Sequence, residues 1–189
     1  MMERKKQASI LRSVRRIHRA LGASLFILFL VISLSGLVLG WKKNSGGYIL
    51  PKSYKGTSTD LAEWLSVDSL RSIASKTLQD SVDSNLLSTI DRIDIRPEKG
   101  MVKFIFTGNF WEIQVDGATG RVLNIGKRHS DLIENIHDGS ILDDLLGTNG
   151  QIFKLIYTSL MGISLFGFTV TGFWLWYGPK AIRNTSRKS

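Results

Sequence analysis

The chain has 189 residues, no cysteine and a formal net charge of +9. The lack of cysteine removes disulfides, thiolate nucleophiles and iron–sulfur ligands from consideration. The charge alone would suit a nucleic-acid-binding protein, but its distribution excludes that class: residues 1–19 carry seven basic side chains against Glu3, residues 178–189 carry four and no acid, and the stretch from Lys42 to Lys154 holds 14 basic and 15 acidic groups.

Residues 1–16 read as a basic cytoplasmic tail, followed by a first transmembrane helix over 17–41. Its centre, Ala20 to Trp41, is 22 residues without a charge, about 33 Å as a helix and enough for a hydrocarbon core of about 30 Å. A cleaved signal peptide has a shorter apolar region ending at small residues, whereas this run ends in Trp41, Lys42 and Lys43. Leu155 to Tyr177 is a second charge-free run, of 23 residues, which places a second transmembrane helix over 151–177 and a basic tail over 178–189. Basic flanks stay on the cytoplasmic side. Both tails are therefore expected inside and the central part outside. Trp41 and Tyr48 at one face and Trp174, Trp176 and Tyr177 at the other suit the headgroup region.

Between the spans, residues 42–59 are rich in Gly, Ser, Thr and Lys and read as a linker with a short turn. In the following stretch Ser66 is placed as an N-cap, and Val67, Leu70, Ile73, Ala74 and Leu78 recur at helical spacing. From Ile90 to Ile125 apolar and polar residues alternate, broken at Pro97–Gly100, Gly108–Asn109 and Asp116–Gly120. That pattern predicts an antiparallel meander of three or four strands with one buried face carrying Val102, Phe104, Phe106, Ile113 and Val115. Residues 60–127 thus form one small periplasmic domain, and 128–150 an interfacial segment before the second span. The fold class is an α+β membrane protein: two transmembrane helices flanking a helix-plus-meander domain.

Four fragments in order, "RRIHRALG" (His18, Arg19, Gly22), "DGATGRVL" (Asp116, Thr119, Gly120), "NIHDGSILDDLLGTNG" (His137) and "TGFWLWYGP" (Thr171, Gly172, Trp174, Trp176, Pro179), resemble the PepSY-associated transmembrane family, with a PepSY-like outer domain, over about residues 12–180. The resemblance implies a link to iron acquisition. Larger relatives with four or more spans include inner-membrane reductases of ferric siderophores, similar to b-type cytochromes, in which histidines at helix ends hold haem. With two spans this chain has about half of that core.

The sequence holds three histidines, His18, His129 and His137. His18 lies at the inner boundary of the first span, where it either points into a helix bundle or snorkels with its arginine neighbours. His137 lies toward the outer boundary, either as a ligand or as an interfacial polar residue beside Asp138. As axial ligands to haem b, one at each face, the two sit too far apart to share an iron. A symmetric dimer, a four-helix bundle pairing each histidine with its mate, resolves this; a partner membrane subunit would serve the same end. Asp138 or a backbone carbonyl is then expected to hold the second nitrogen of His137. Gly36 and Gly40 form a G-x-x-x-G, and Gly162, Gly167 and Gly172 recur in the second span, suiting either a macrocycle or packing between this chain's own helices. His129 with Asp131, Glu134 and Asp138 raises a metal site, but His129 and His137 are two helical turns apart, wider than the i, i+4 pair that chelates best.

No H-E-x-x-H, G-x-S-x-G or phosphate loop is present. The leading reading is a haem-binding electron-transfer protein linked to ferric siderophore reduction. Its rival is a cofactor-free PepSY module tethered to the membrane, regulating a peptidase or assisting a larger transport or reductase complex through a periplasmic protein partner.

Overall fold

The computed structural model describes residues 2–148 and 150–187, without the side chains of 2–5 and 184–187. The chain divides into two compact units, one drawn from the residues up to Gly36 and from Asn135 onward, the other formed by Leu37–Glu134.

In the helical unit, α1 (Met2–Gly40) and α5 (Ile152–Arg187) are the long elements. Lys6–Gly40 and Ile152–Arg183 are the stretches long and apolar enough to cross a membrane. Only 6% and 11% of their most apolar windows are buried, so neither is the core helix of a soluble protein. Ile27, Leu37, Leu155, Ile163 and Phe166 face outward on them, as a lipid-facing surface requires. The basic stretch before His18 is helical too, continuous with the span. α5 likewise runs on through Pro179, whose missing N–H removes the amide that the Leu175 carbonyl would otherwise accept from.

α3 (His129–Asp138) and α4 (Ser140–Leu146) occupy most of the stretch read as interfacial. Gly139 separates them at φ +81°, and a Cβ there would also lie 2.8 Å from the Tyr157 ring. Asp143 on α4 caps α5: its carboxylate accepts from the Phe153 amide at 3.1 Å and the Lys154 amide at 2.8 Å, and from the Thr148 hydroxyl. Burial pushes that carboxyl up, but these donors outweigh it and hold the group below the ordinary carboxylate range.

In the other unit, α2 (Val67–Ser81) packs on a four-stranded antiparallel sheet in sequential order: β1 (Ile90–Arg96), β2 (Met101–Phe106), β3 (Trp111–Asp116) and β4 (Val122–Lys127). Ser66 is the N-cap, accepting from the Ser69 amide at 3.1 Å. Leu70, Ala74 and Leu78 meet Val102, Phe104, Phe106, Ile113 and Val115 in one core. Val67, expected on that face, is 44% exposed; it is the first helical residue, before the stripe has turned onto the sheet.

The second face of the sheet departs from expectation. Met101, Lys103, Ile105, Glu112, Gln114 and Asp116 are also buried, so β2 and most of β3 are covered on both sides. Part of the cover comes from residues 51–58, in the stretch read as a linker. The Tyr54 amide donates to Gln114 Oε1 at 3.0 Å, Gln114 Nε2 donates to the Lys52 carbonyl at 2.7 Å, and the Gly56 amide donates to the Lys99 carbonyl at 2.8 Å. A Cβ on Gly56 would fall 1.9 Å from the Gly100 carbonyl oxygen, so only glycine lets this strap lie so close.

The polar residues beneath are satisfied in pairs. Glu112, fully buried, accepts from Lys103 Nζ at 3.2 Å, from Gln114 Nε2 at 2.7 Å and from Arg128. Arg128 Nε also meets Asp131 at 2.8 Å, and Arg92 reaches Asp131 at 2.7 Å. Burial pushes the Asp131 carboxyl up, but Arg128 foremost, then Ser130 and Arg92, hold it below its usual range. Alternation suggested a solvent-facing row; the partners that permit its burial lie elsewhere in the chain.

Candidate functional site: two seated imidazoles

His18 sits on α1 with Nδ1 2.9 Å from Thr171 Oγ1 of α5. Its ring stacks on Phe168 at a centroid distance of 4.0 Å. Cε1 faces Gly172, where a Cβ would stand 3.4 Å away. Of the two orientations the sequence allows, His18 therefore takes the inward one, against the second long helix.

His137, in the last turn of α3, has Nδ1 2.9 Å from Ser35 Oγ of α1. Its Cε1 faces Gly36, where a Cβ would lie 3.2 Å away. Asp138 does not hold this ring. Its carboxylate meets Lys154 Nζ at 2.7 Å and accepts from the Ser140 amide at 3.0 Å; burial raises this carboxyl, and those two partners more than offset it, leaving it below the usual range. A neutral hydroxyl takes the place expected for Asp138 or a backbone carbonyl.

The two imidazoles are thus seated at different levels of α1, at position 18 and beside position 35. Seventeen residues of helix separate those levels, about 26 Å at 1.5 Å per residue. One iron cannot take both. The glycines divide as well: Gly36 and Gly172 lie against the imidazoles, Gly22 against Phe168 and Gly167 near Leu21, while a Cβ on Gly40 or Gly162 would meet open space. The G-x-x-x-G thus has one occupied position, and a ring fills it.

His129 is placed differently. Its ring stacks on Tyr48 at 5.3 Å, and the nearby carboxylates have cationic partners, Asp131 with Arg128 and Arg92, Glu134 with Lys42 at 3.9 Å. Among the described residues no three His, Asp or Glu side chains converge as a metal cluster.

Asp116, from the D-x-x-T-G fragment, is fully buried in the sheet unit. It accepts from the Ala118 and Thr119 amides at 3.0 and 3.3 Å, closing the β3–β4 turn, and from both the amide and the hydroxyl of Thr57 in the strap. Burial raises its carboxyl, and the Thr57, Thr119 and Ala118 donors outweigh that and hold it low. Gly117 beside it carries the Trp64 ring, which a Cβ would meet at 2.3 Å. The fragment is thus a structural corner joining turn, strap and ring.

In chain order the structure gives a long apolar helix, a helix-and-meander unit and a second long apolar helix, with the four fragments in that sequence, and the family model described as the PepSY-associated TM region matches residues 15–189. The chain belongs to this family. Among curated proteins, none matches the sequence. This PepSY-associated protein is accordingly a membrane protein, and α1 and α5, which carry both imidazole seats, fall largely within the matched region.

As ligands the two histidines fit haem iron in kind. Each is an imidazole with Nδ1 engaged by a hydroxyl, and among the described residues no hydrogen-bond partner reaches either Nε2. Each level supplies one such nitrogen per chain, so a bis-imidazole site needs a second chain.

Proposed function

We propose that this chain is a haem-binding electron-transfer protein of the bacterial inner membrane, linked to ferric siderophore reduction and working as a dimer. The observation that carries the reading is the pair of seated imidazoles about 26 Å apart along α1, each with Nε2 left over. His18 and His137 would hold the haem, each together with its mate across the dimer. Haem b, when bound, supplies a one-electron couple whose potential depends on the ligands and their surroundings. The residues bind and orient: Thr171 and Ser35 anchor the rings, Phe168 braces His18, and the glycines keep the ring edges clear. In this reading residues 1–19 and 178–189 lie in the cytoplasm and the sheet unit in the periplasm, which the charge split supports.

The test is an absorption spectrum of protein produced with ample haem. A Soret band whose α and β bands sharpen on reduction is expected. His18→Ala and His137→Ala should each lower haem content to about half, and the double variant to nearly none; His129→Ala should matter little. Haem that survives the double variant would remove both residues as ligands. A colourless wild type would replace this reading with the tethered interaction module.

A further inference from the structure

The two seats share a sequence as well as a shape. Ser35–Gly36 and Thr171–Gly172 are each a hydroxyl residue followed by glycine within a long helix, and each presents Oγ to Nδ1 and the bare glycine to Cε1 of one imidazole. The histidines arrive from different elements, His18 from α1 and His137 from α3. The dipeptide is the common part.

The hydroxyl protons decide the chemistry. Ser35 Oγ lies 2.6 Å from the Val31 carbonyl oxygen, and Thr171 Oγ1 lies 2.7 Å from that of Gly167. Two oxygens that close need a proton between them, and only the hydroxyl has one to give. Were it turned toward the imidazole instead, lone pairs would face each other at that separation. The hydroxyl, its single proton committed to the carbonyl four residues back, is left as an acceptor. The hydrogen of the 2.9 Å contact must therefore come from Nδ1.

We infer that the Ser35–Gly36 and Thr171–Gly172 pairs are two copies of one imidazole seat, which fixes a proton on Nδ1 of His18 and His137 and so, in the singly protonated ring, leaves the lone pair on Nε2 for a metal. The tautomer follows from the hydrogen bonding alone; the metal's being haem iron rests on the function proposed above. The histidine side chain free in water favours the Nε2–H tautomer, so the seats invert a default preference. Ser35 and Thr171 are positioning residues: they act through the rings and touch no ligand. Each glycine sets ring depth, since a methyl 3.2 to 3.4 Å from Cε1 would press the ring away from the hydroxyl.

The experiment uses the full chain, labelled with ring-15N histidine, purified free of haem into lipid nanodiscs and held in alkaline buffer. His18 and His137 signals, assigned by alanine replacement, should each show a protonated Nδ1 and a bare Nε2. Ser35→Ala should turn His137 to mainly Nε2–H while leaving His18 unchanged, and Thr171→Ala should do the reverse. Thr171→Ser and Ser35→Thr should retain the wild-type form. Should an alanine variant disturb both rings, as general misfolding would, these conservative variants decide: loss of Nδ1–H in them overturns the seat. A wild-type Nε2–H ring, or alanine variants without effect, would also overturn it. Haem added afterwards separates the two ideas. Correct tautomers without haem uptake sink the haem reading and leave the seats standing, whereas haem uptake by rings of the wrong tautomer does the opposite.

Discussion

Asp116 ties the strap and the β3–β4 turn to one carboxylate, and its charge is what the donors need. Replacing it with alanine leaves the Thr57, Ala118 and Thr119 amides without their acceptor and should cost about 2 kcal/mol, read as a lower midpoint in urea unfolding followed by Trp fluorescence. The folded-state carboxyls of Asp116 and Asp131 are both depressed. Their contribution is therefore fully present above the unfolded value of about 3.9 and is lost as pH falls through the folded values. Protection of the β2 and β3 amides, taken relative to the intrinsic exchange rate at each pH, should fall on acidification below about pH 4, and Asp116→Asn should flatten that acid limb. The sequence marked Asp116 through its fragment but not its partner, because Thr57 lies 59 residues upstream. The same distance hid the imidazole seats: Thr171 is 153 residues from His18 and Ser35 is 102 from His137. Both histidines were legible by position and scarcity, their hydroxyls only in three dimensions.

Among the elements, α2 and the four strands follow from periodicity and turn residues, since one buried face leaves a repeat of 3.6 or 2 in the sequence. What periodicity could not report was a second buried face made of polar groups, because its partners Arg128 and the strap lie outside the strands. Phe104→Asp puts a charge into the apolar side and should cost several kcal/mol, about 3 or more; the check is loss of protease resistance across residues 60–127. Gly56→Ala tests the other side: its Cβ would strike the Gly100 carbonyl, so the strap must lift, at about 2 kcal/mol. In α5 the end is fastened from α4. Asp143→Ala should leave the rest of that helix intact and speed amide exchange at Phe153 and Lys154, measured by mass spectrometry on the peptide that covers them.

For the whole molecule, the two spans were legible from charge-free length alone, and their helices prove longer than those runs because the basic flanks are also helical. The strap also changes how the proposed topology is best tested. A reporter inserted near Gly56 would break the sheet unit, whereas Gly108 sits in an exposed turn where an added Cβ meets nothing. An insertion at Gly108–Asn109 should report the periplasm and a fusion after Ser189 the cytoplasm. Two reporters on the same side would overturn the in–out–in arrangement and the dimer built on it.

The doubly covered strands have one more consequence, for how the chain finds its pairing. Met101 to Phe106 alternates between a helix-covered apolar side and a side where Lys103 needs Glu112. A slip of β2 by one residue would turn Lys103 into the apolar core and Phe104 toward the buried ion pairs. Neither error is neutral, because a charge without its partner and a ring among carboxylates both lose heavily against the native arrangement. Apolar residues in place of Lys103 and Glu112 could match or exceed the native stability while leaving such slips unpunished. The ion pairs thus penalise a misregistered sheet more than they strengthen the correct one.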